Sequence, residues 1–188
     1  MAKTGYHHGD LRATILAAAA AQIASDGVDA VSLRELARRA GVSHAAPAHH
    51  FGDRAGVLTA LAVEGFELLG NALEAAGPDF REVAVAYIRF AREHPGHFDV
   101  MFRHTLLRGD DPRLAEARLR AGAALRVGSV TIHPGDADRQ QSTQLAAWSL
   151  VHGFAALWRE GALDNSSLAA GADPETLARR MLATVHFD

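Results

Sequence analysis

Residues Val31–Arg54 read VSLRELARRAGVSHAAPAHHFGDR, and their spacing predicts two short helices joined by a tight turn. Ser32 and Glu35 have the Ser-x-x-Glu spacing of a capping box, in which each side chain satisfies a free amide at a helix start. Val31 and Leu36 flank that cap as a hydrophobic staple. The first helix is expected to run to about Ala40 and to stop at Gly41, because glycine enters a left-handed conformation without steric cost. Val42 is the expected apolar plug between the helices, and Ser43 the expected cap of the second. Leu36, Ala40, Val42 and Phe51 would then pack inward, with Arg34, Arg38, His44, His49 and His50 near the surface. On spacing alone the pattern fits an ordinary αα-hairpin or a helix-turn-helix.

The wider context favours the second. Residues 6–61, YHHGDLRATILAAAAAQIASDGVDAVSLRELARRAGVSHAAPAHHFGDRAGVLTAL, contain in order a first helix, a Gly-containing loop, the helix-turn-helix and an aromatic–x–x–Arg entry to a fourth helix. This stretch resembles the N-terminal domain of tetracycline-repressor (TetR) family regulators. The Trp148–His152–Gly153 pattern further along resembles the C-terminal domain of one subgroup of that family, the WHG type. The resemblance implies an all-α chain, with a three-helix helix-turn-helix domain over 1–52 and a helical ligand-binding and dimerisation domain over 53–188. It maps DNA contacts onto Arg34, His44, Ala45, Ala46, Ala48, His49, His50 and Arg54. At Ala48 the sequence departs from the family, which commonly carries a tyrosine there that reaches a phosphate; a methyl group makes no such contact.

Chemistry gives these positions roles. His44 can read a purine edge as donor or acceptor, and Ala45 and Ala46 can touch a thymine methyl. Arg34 can reach a guanine or a phosphate, and Arg54 a phosphate. The amides near Ser32 and Ser43 lie at expected helix N-termini, where phosphate binding is favourable. For His44 the plainer alternative is a solvated surface histidine.

Composition narrows the class. The 188 residues can bury a sizeable core. There is no cysteine, hence no disulfide, thiolate metal site or cysteine nucleophile, which fits a cytoplasmic location. No apolar run is expected to approach the ~18 residues that span a bilayer, and the alanine-rich Ile15–Ala24 lacks secretory flanks. The net charge of −3 argues against a generally adhesive nucleic-acid binder. Through Gly56 six Lys/Arg oppose five acids, giving +1, whereas the remainder carries 13 against 17, giving −4. Five of the eleven histidines also fall in the first part. DNA binding must therefore come from placed contacts rather than a broad positive field.

Along the chain, residues 1–8 form an arm whose Lys3 and His7–His8 can touch phosphate, or a disordered terminus. A first helix is expected over about Asp10–Ser25. Pro47, with Ser43 as cap, would sit at the fourth helical position and delete one early backbone bond. Asp53 is the expected cap of a long helix to about Ala76. Beyond Gly77-Pro78, helical periodicity resumes over Asp79–Glu93, and His94-Pro95 interrupts it. Phe98, Met101, Phe102 and Leu106 are large, adaptable side chains that suit core or the wall of a ligand cavity, with Phe90 on the preceding helix. His94, His97 and His104 raise a metal site as an alternative to surface or pocket histidines, and Pro95-Gly96 breaks their shared helical face.

A helix from Asp111-Pro112 to about Val127 is followed by a helix over about Asp138–Glu160 that is apolar all round and must be covered on several sides. Small residues at Ala146, Ser149, Gly153 and Ala156 would let another helix approach, with Leu157 beside them. Asp173-Pro174 supplies cap and first-turn proline for a last helix bearing Leu177 and Met181. Those seven residues are the expected homodimer interface, and Trp148 and His152 join Phe90, Phe98, Met101 and Phe102 as the expected effector pocket; the alternative is that both helices close the monomer core.

The reading is a homodimeric, ligand-responsive repressor of a palindromic double-stranded operator, without cofactor, metal or membrane partner. No Ser-His-Asp context, Gly-rich phosphate loop or HExxH pattern supports an enzyme. A helical small-molecule-binding or scaffold protein without sequence-specific DNA binding is the other class.

Overall fold

A computed structural model describes residues 8–164, 166, 167, 169 and 171–185, and within them every side chain except those of 8–10, 128, 129 and 131. The N-terminal arm with Lys3 and His7 lies outside the described residues. Among those described there are nine α-helices, two single-turn 3-10 helices and no strand. The helices are α1 (His8–Asp26), α2 (Leu33–Arg39), α3 (Ala46–Phe51), α4 (Arg54–Ala75), α5 (Phe80–Glu93), α6 (Pro95–Met101), α7 (Pro112–Ile132), α8 (Ala137–Arg159) and α9 (Pro174–Thr184).

Side-chain caps open most of these helices. Ser32 Oγ accepts from the Glu35 amide at α2, Asp53 from Gly56 at α4, and Asp79 from Arg81 and Glu82 at α5. Asp111, Asp136 and Asp173 do the same for α7, α8 and α9, and Pro174 occupies the first helical position of α9. Each satisfies amides that lack an intrahelical partner. Glu35 does not return the capping-box bond; its carboxylate goes to Arg38 and Arg39 instead.

The chain folds as two compact units, each discontinuous in sequence: 1–65 with 94–116, and 66–93 with 117–188. The helix-turn-helix segment lies within the first, which also takes in α6 and the start of α7. In that unit Ile15, Leu16, Ala19 and Ile23 of α1, Leu36 of α2, Phe51 of α3 and Val57, Leu58 and Leu61 of α4 are buried. α6 packs closely on α1, because Gly96 presents bare backbone; a Cβ there would overlap the Ala20 carbonyl oxygen.

In the second unit α5 is the core helix, with Val83, Tyr87, Ile88 and Phe90 all buried, and α8 and α9 pack against it. Arg89 pairs with Glu175, and Arg179 with Glu82, across the α5–α9 seam. α8 is not apolar-covered all round. Thr143, Ala147, Val151 and Ala155 form one buried stripe at four-residue spacing, whereas Leu145 (59% exposed), Trp148 (37%) and Leu157 (47%) face out.

Three expectations change. α7 continues to Ile132 rather than ending near Val127, and the break before α8 contracts to residues 133–136. α4 is long and apolar enough to cross a membrane by length and composition, contrary to the reading of the sequence. Of its most apolar window, however, 72% is buried inside the protein, so its apolarity serves the core. The second short helix starts at Ala46 rather than after Ser43, as described next.

Candidate nucleic-acid interface and effector site

The turn between α2 and α3 closes α2 with a Schellman pattern: the Val42 amide donates to Ala37 O at 3.0 Å and the Gly41 amide to Arg38 O at 3.3 Å. Gly41 takes φ +65°, the left-handed geometry this motif requires. Ser43 does not cap α3. Its carbonyl accepts from the Ala46 amide at 3.0 Å, Ala45 occupies the cap position without a side-chain bond, and Pro47 falls in the first turn. The physical reason is Pro47 itself: in the first turn its missing N–H has no intrahelical bond to lose. His44 and Ala45 consequently stand in the turn ahead of the helix.

Arg34, Ser43, His44, Ala45, Ala48 and His49 are exposed, and His50 is half-buried with its ring edge-on to His49 at 5.5 Å. Ala46 is withdrawn: at 8% exposure its methyl belongs to the domain core rather than to a groove. Ser32, Arg34, Glu35, Arg38 and His44 line one open cleft of about 230 Å³, which brings Arg34 and His44 together. Arg38 and Arg39 both bond Glu35, and these two guanidinium groups, Arg38 foremost, hold the Glu35 carboxyl down at about 2. Arg34 is the α2 arginine without an ion pair among the described residues.

Arg54 has inward duties that spacing does not reveal. Its Nε donates to Val31 O at 3.0 Å and its Nη2 to Val28 O at 2.7 Å, tying the start of α4 to the turn before α2.

The expected effector residues divide between the units. Phe98, Met101 and Phe102 belong to the first, where Phe98 is 6% and Met101 0% exposed; a Cβ on Gly65 would press on Met101 Sδ. Those two are core packing, and Phe102 lies edge-on to Phe98 at 5.6 Å. Phe90, Trp148 and His152 belong to the second, where Phe90 is 2% exposed.

There the structure adds Tyr87, which periodicity places only in a buried stripe. The signal for it is a hydroxyl on an apolar helix face, which needs a partner once buried. Trp148 Nε1 donates to Tyr87 Oη at 3.3 Å, and Oη lies 2.9 Å from His152 Nδ1. Burial pushes the Tyr87 hydroxyl well above its ordinary range and the His152 imidazole below its own. Both groups are thus neutral at ordinary pH, and the tautomer of His152 decides which of them donates. His94 and His97 stand ring edge to ring face at 5.7 Å, with His97 buried beside Glu64, and His104 is exposed. No group of three metal-ligating side chains converges among the described residues.

Two family models match the chain: the tetracyclin repressor-like C-terminal domain over residues 80–185, and the tetR family of bacterial regulatory proteins over residues 15–61. The first alone spans more than half of the chain. The chain belongs to the TetR family. Its helix-turn-helix thus makes it a DNA-binding transcriptional regulator. Among solved structures it is similar to a protein of unknown function from Rhodococcus sp. RHA1, with 35% identity, 97% of this chain and 96% of that one covered, and a TM-score of 0.75. A tetR-family regulatory protein from Rhodococcus RHA1 shares 23% identity over 92% and 93% of the two chains, with a TM-score of 0.68. The TetR-family transcriptional regulator PfmR from Thermus thermophilus shares 23% identity over 89% and 93%, with a TM-score of 0.64; these two likenesses speak for the fold. Among curated proteins no match is found.

Proposed function

We propose that this TetR-family regulator is a homodimeric repressor that binds a palindromic operator and releases it when a small molecule occupies the second unit. The observation that carries the reading is the outer face of α8. Leu145 and Leu157 are exposed there, and Ala146, Ser149 and Gly153 between them are small; no atom stands within 4 Å of where a Gly153 side chain would begin. Large apolar side chains left exposed around small ones suit an interaction site. A two-fold interface uses the same patch on both copies. Ala156 of α8 and Leu177 and Met181 of α9, all half-buried, extend it.

A two-fold dimer presents two recognition segments, matching half-sites roughly 34–36 Å apart or a multiple of the helical repeat. In each, His44 and Arg34 read bases or hold a phosphate from their shared cleft, with Ala45, His49 and His50 beside them. The Trp148–Tyr87–His152 chain supplies directional polar groups in an otherwise apolar unit, as small-molecule sites do. An effector acts there by binding one conformation more tightly than the other, not by touching DNA.

The test is titration of a promoter fragment selected by the protein itself, at several salt concentrations, with sedimentation in parallel. A palindromic selected site, a steep salt dependence and a dimer at working concentration are expected. A monomer that binds a single half-site would overturn the reading.

A further inference from the structure

Inside the first unit, a cleft of about 140 Å³ opens where α1, the end of α3, the start of α4 and the segment before α7 meet. Three arginines line it, Arg12, Arg108 and Arg113, against one carboxylate, Asp111. The Asp111 carboxylate is committed to the Arg113 and Leu114 amides at 2.9 and 3.1 Å, so it caps the start of α7. We propose that this cleft binds a phosphate-bearing anion.

Two of the guanidinium groups are held in place. Arg108 Nη2 donates to Asp53 Oδ1 at 2.9 Å and to Phe51 O at 3.4 Å, while its backbone amide donates to Thr59 Oγ1 at 2.9 Å. Arg12 lies over the Phe51 ring, 5.3 Å from its centroid. Neither Arg12 nor Arg113 forms an ion pair among the described residues. In the lining of the cleft itself three guanidinium groups face one carboxylate, with Asp53 set against Arg108 and Glu64 within electrostatic reach of Arg12 outside it. A concave, preorganised cluster of like charges concentrates counter-ions and costs little ordering when one binds.

Size selects the class. Drug-sized ligands occupy roughly 300–1,000 Å³, so this cleft is too small for such an effector. It holds a tetrahedral oxyanion with a few waters, each water taking about 30 Å³ of liquid volume. Guanidinium groups match phosphate oxygens with paired, charge-assisted bonds. A phosphate group reaches this cleft from two sources, a free monoester or inorganic phosphate, and the backbone of DNA.

Calorimetric titration of the full chain, free of DNA, with inorganic phosphate at ionic strength matched by chloride tests the site. Saturable binding is expected, weakened at least about tenfold by Arg113→Gln and by Arg12→Gln, and unchanged by Arg34→Gln. Arg113 is exposed, so its variant keeps the fold, and a thermal melt verifies this. If the group belongs to DNA, phosphate gives no heat, and Arg113→Gln lowers the salt slope of fragment binding by about one. Phosphate binding that both variants retain would overturn the proposal. So would an absence of phosphate binding together with an unchanged salt slope; the cleft would then be a solvated arginine cluster.

Discussion

Replacing Gly153 with leucine separates the fold of one chain from its pairing with another. Within one chain the change is permitted: the position lies inside α8, and a side chain there enters open space. Glycine is disfavoured in a helix interior by roughly 0.8–1.0 kcal/mol relative to a good helix former, so the isolated chain should gain about that much. The gain is common to monomer and dimer and cancels from the association equilibrium. If a partner helix closes over this face, the added side chain overpacks the contact by ~1–3 kcal/mol. A two-fold interface contains the glycine twice, so roughly 2–6 kcal/mol is lost per dimer where the two sites act additively. At about 1.4 kcal/mol per factor of ten, dissociation rises on the order of 30-fold to 10⁴-fold. Sedimentation across a concentration series reads that shift directly, and binding to a two-half-site fragment should fall with it. Gly96→Ala is the opposite control: its Cβ overlaps the Ala20 carbonyl oxygen, so thermal stability falls whatever the oligomeric state. A Gly153→Leu protein that melts no lower than wild type and dimerises with unchanged affinity would remove α8 from the interface.

Arg54→Ala should lower stability by ~1.5–3 kcal/mol, since it deletes charge-assisted bonds to Val28 O and Val31 O; an unchanged denaturant midpoint would deny that role. His44→Ala should relax sequence preference at one base pair by ~1–3 kcal/mol while leaving the thermal midpoint alone, and binding to a panel of single-base operator variants reads both the position and the size. Ala48→Tyr, at an exposed position of α3, should tighten fragment binding without altering base preference, because a hydroxyl adds a phosphate bond that a methyl lacks; unchanged affinity in a folded variant would place residue 48 away from the backbone. Glu35 is held from its ordinary 4.5 down to about 2 by Arg38 and Arg39, so its contribution is complete above pH 4.5 and is lost as pH falls towards 2. Glu35→Gln should therefore melt below wild type at neutral pH, and the two curves should converge near pH 2.

The parts of this fold legible in the sequence are those decided within a few residues. Ser32, Asp53 and Asp173 announce helix starts, and Gly41 a helix end, because capping is a contest between a side chain and its own neighbouring amides. The same rule misplaces the start of α3 at Ser43, since Pro47 competes for the same helix and sets its cap two residues later. That shift changes the face offered to a groove: His44 and Ala45 precede α3, and Ala46 turns into the core. What spacing does not supply are contacts between residues far apart in the chain. Arg54 reaches back 26 residues to Val28, Arg108 reaches 55 to Asp53, and Tyr87 meets His152 across 65. None leaves a periodic trace, because a single polar side chain on an otherwise regular helix looks alike whether it faces water or a carbonyl.

The exposed face of α8 is the instructive case. Apolarity around the whole helix demands cover on several sides, but sequence does not say which side the chain covers itself. The structure assigns its own cover to Thr143, Ala147, Val151 and Ala155, and leaves Leu145, Trp148 and Leu157 in the open. Side chains left 37–59% exposed forgo roughly half of the ~1.5–3 kcal/mol that full burial of each would give, which a partner covering this face would recover. Trp148 sharpens the point, because its indole N–H is already bonded to Tyr87 while 37% of the residue remains exposed. A partner closing over α8, as proposed, would meet at its flank a ring whose polar end is fixed to the interior, and the proposed effector site at Tyr87 and His152 would lie one hydrogen bond from that ring.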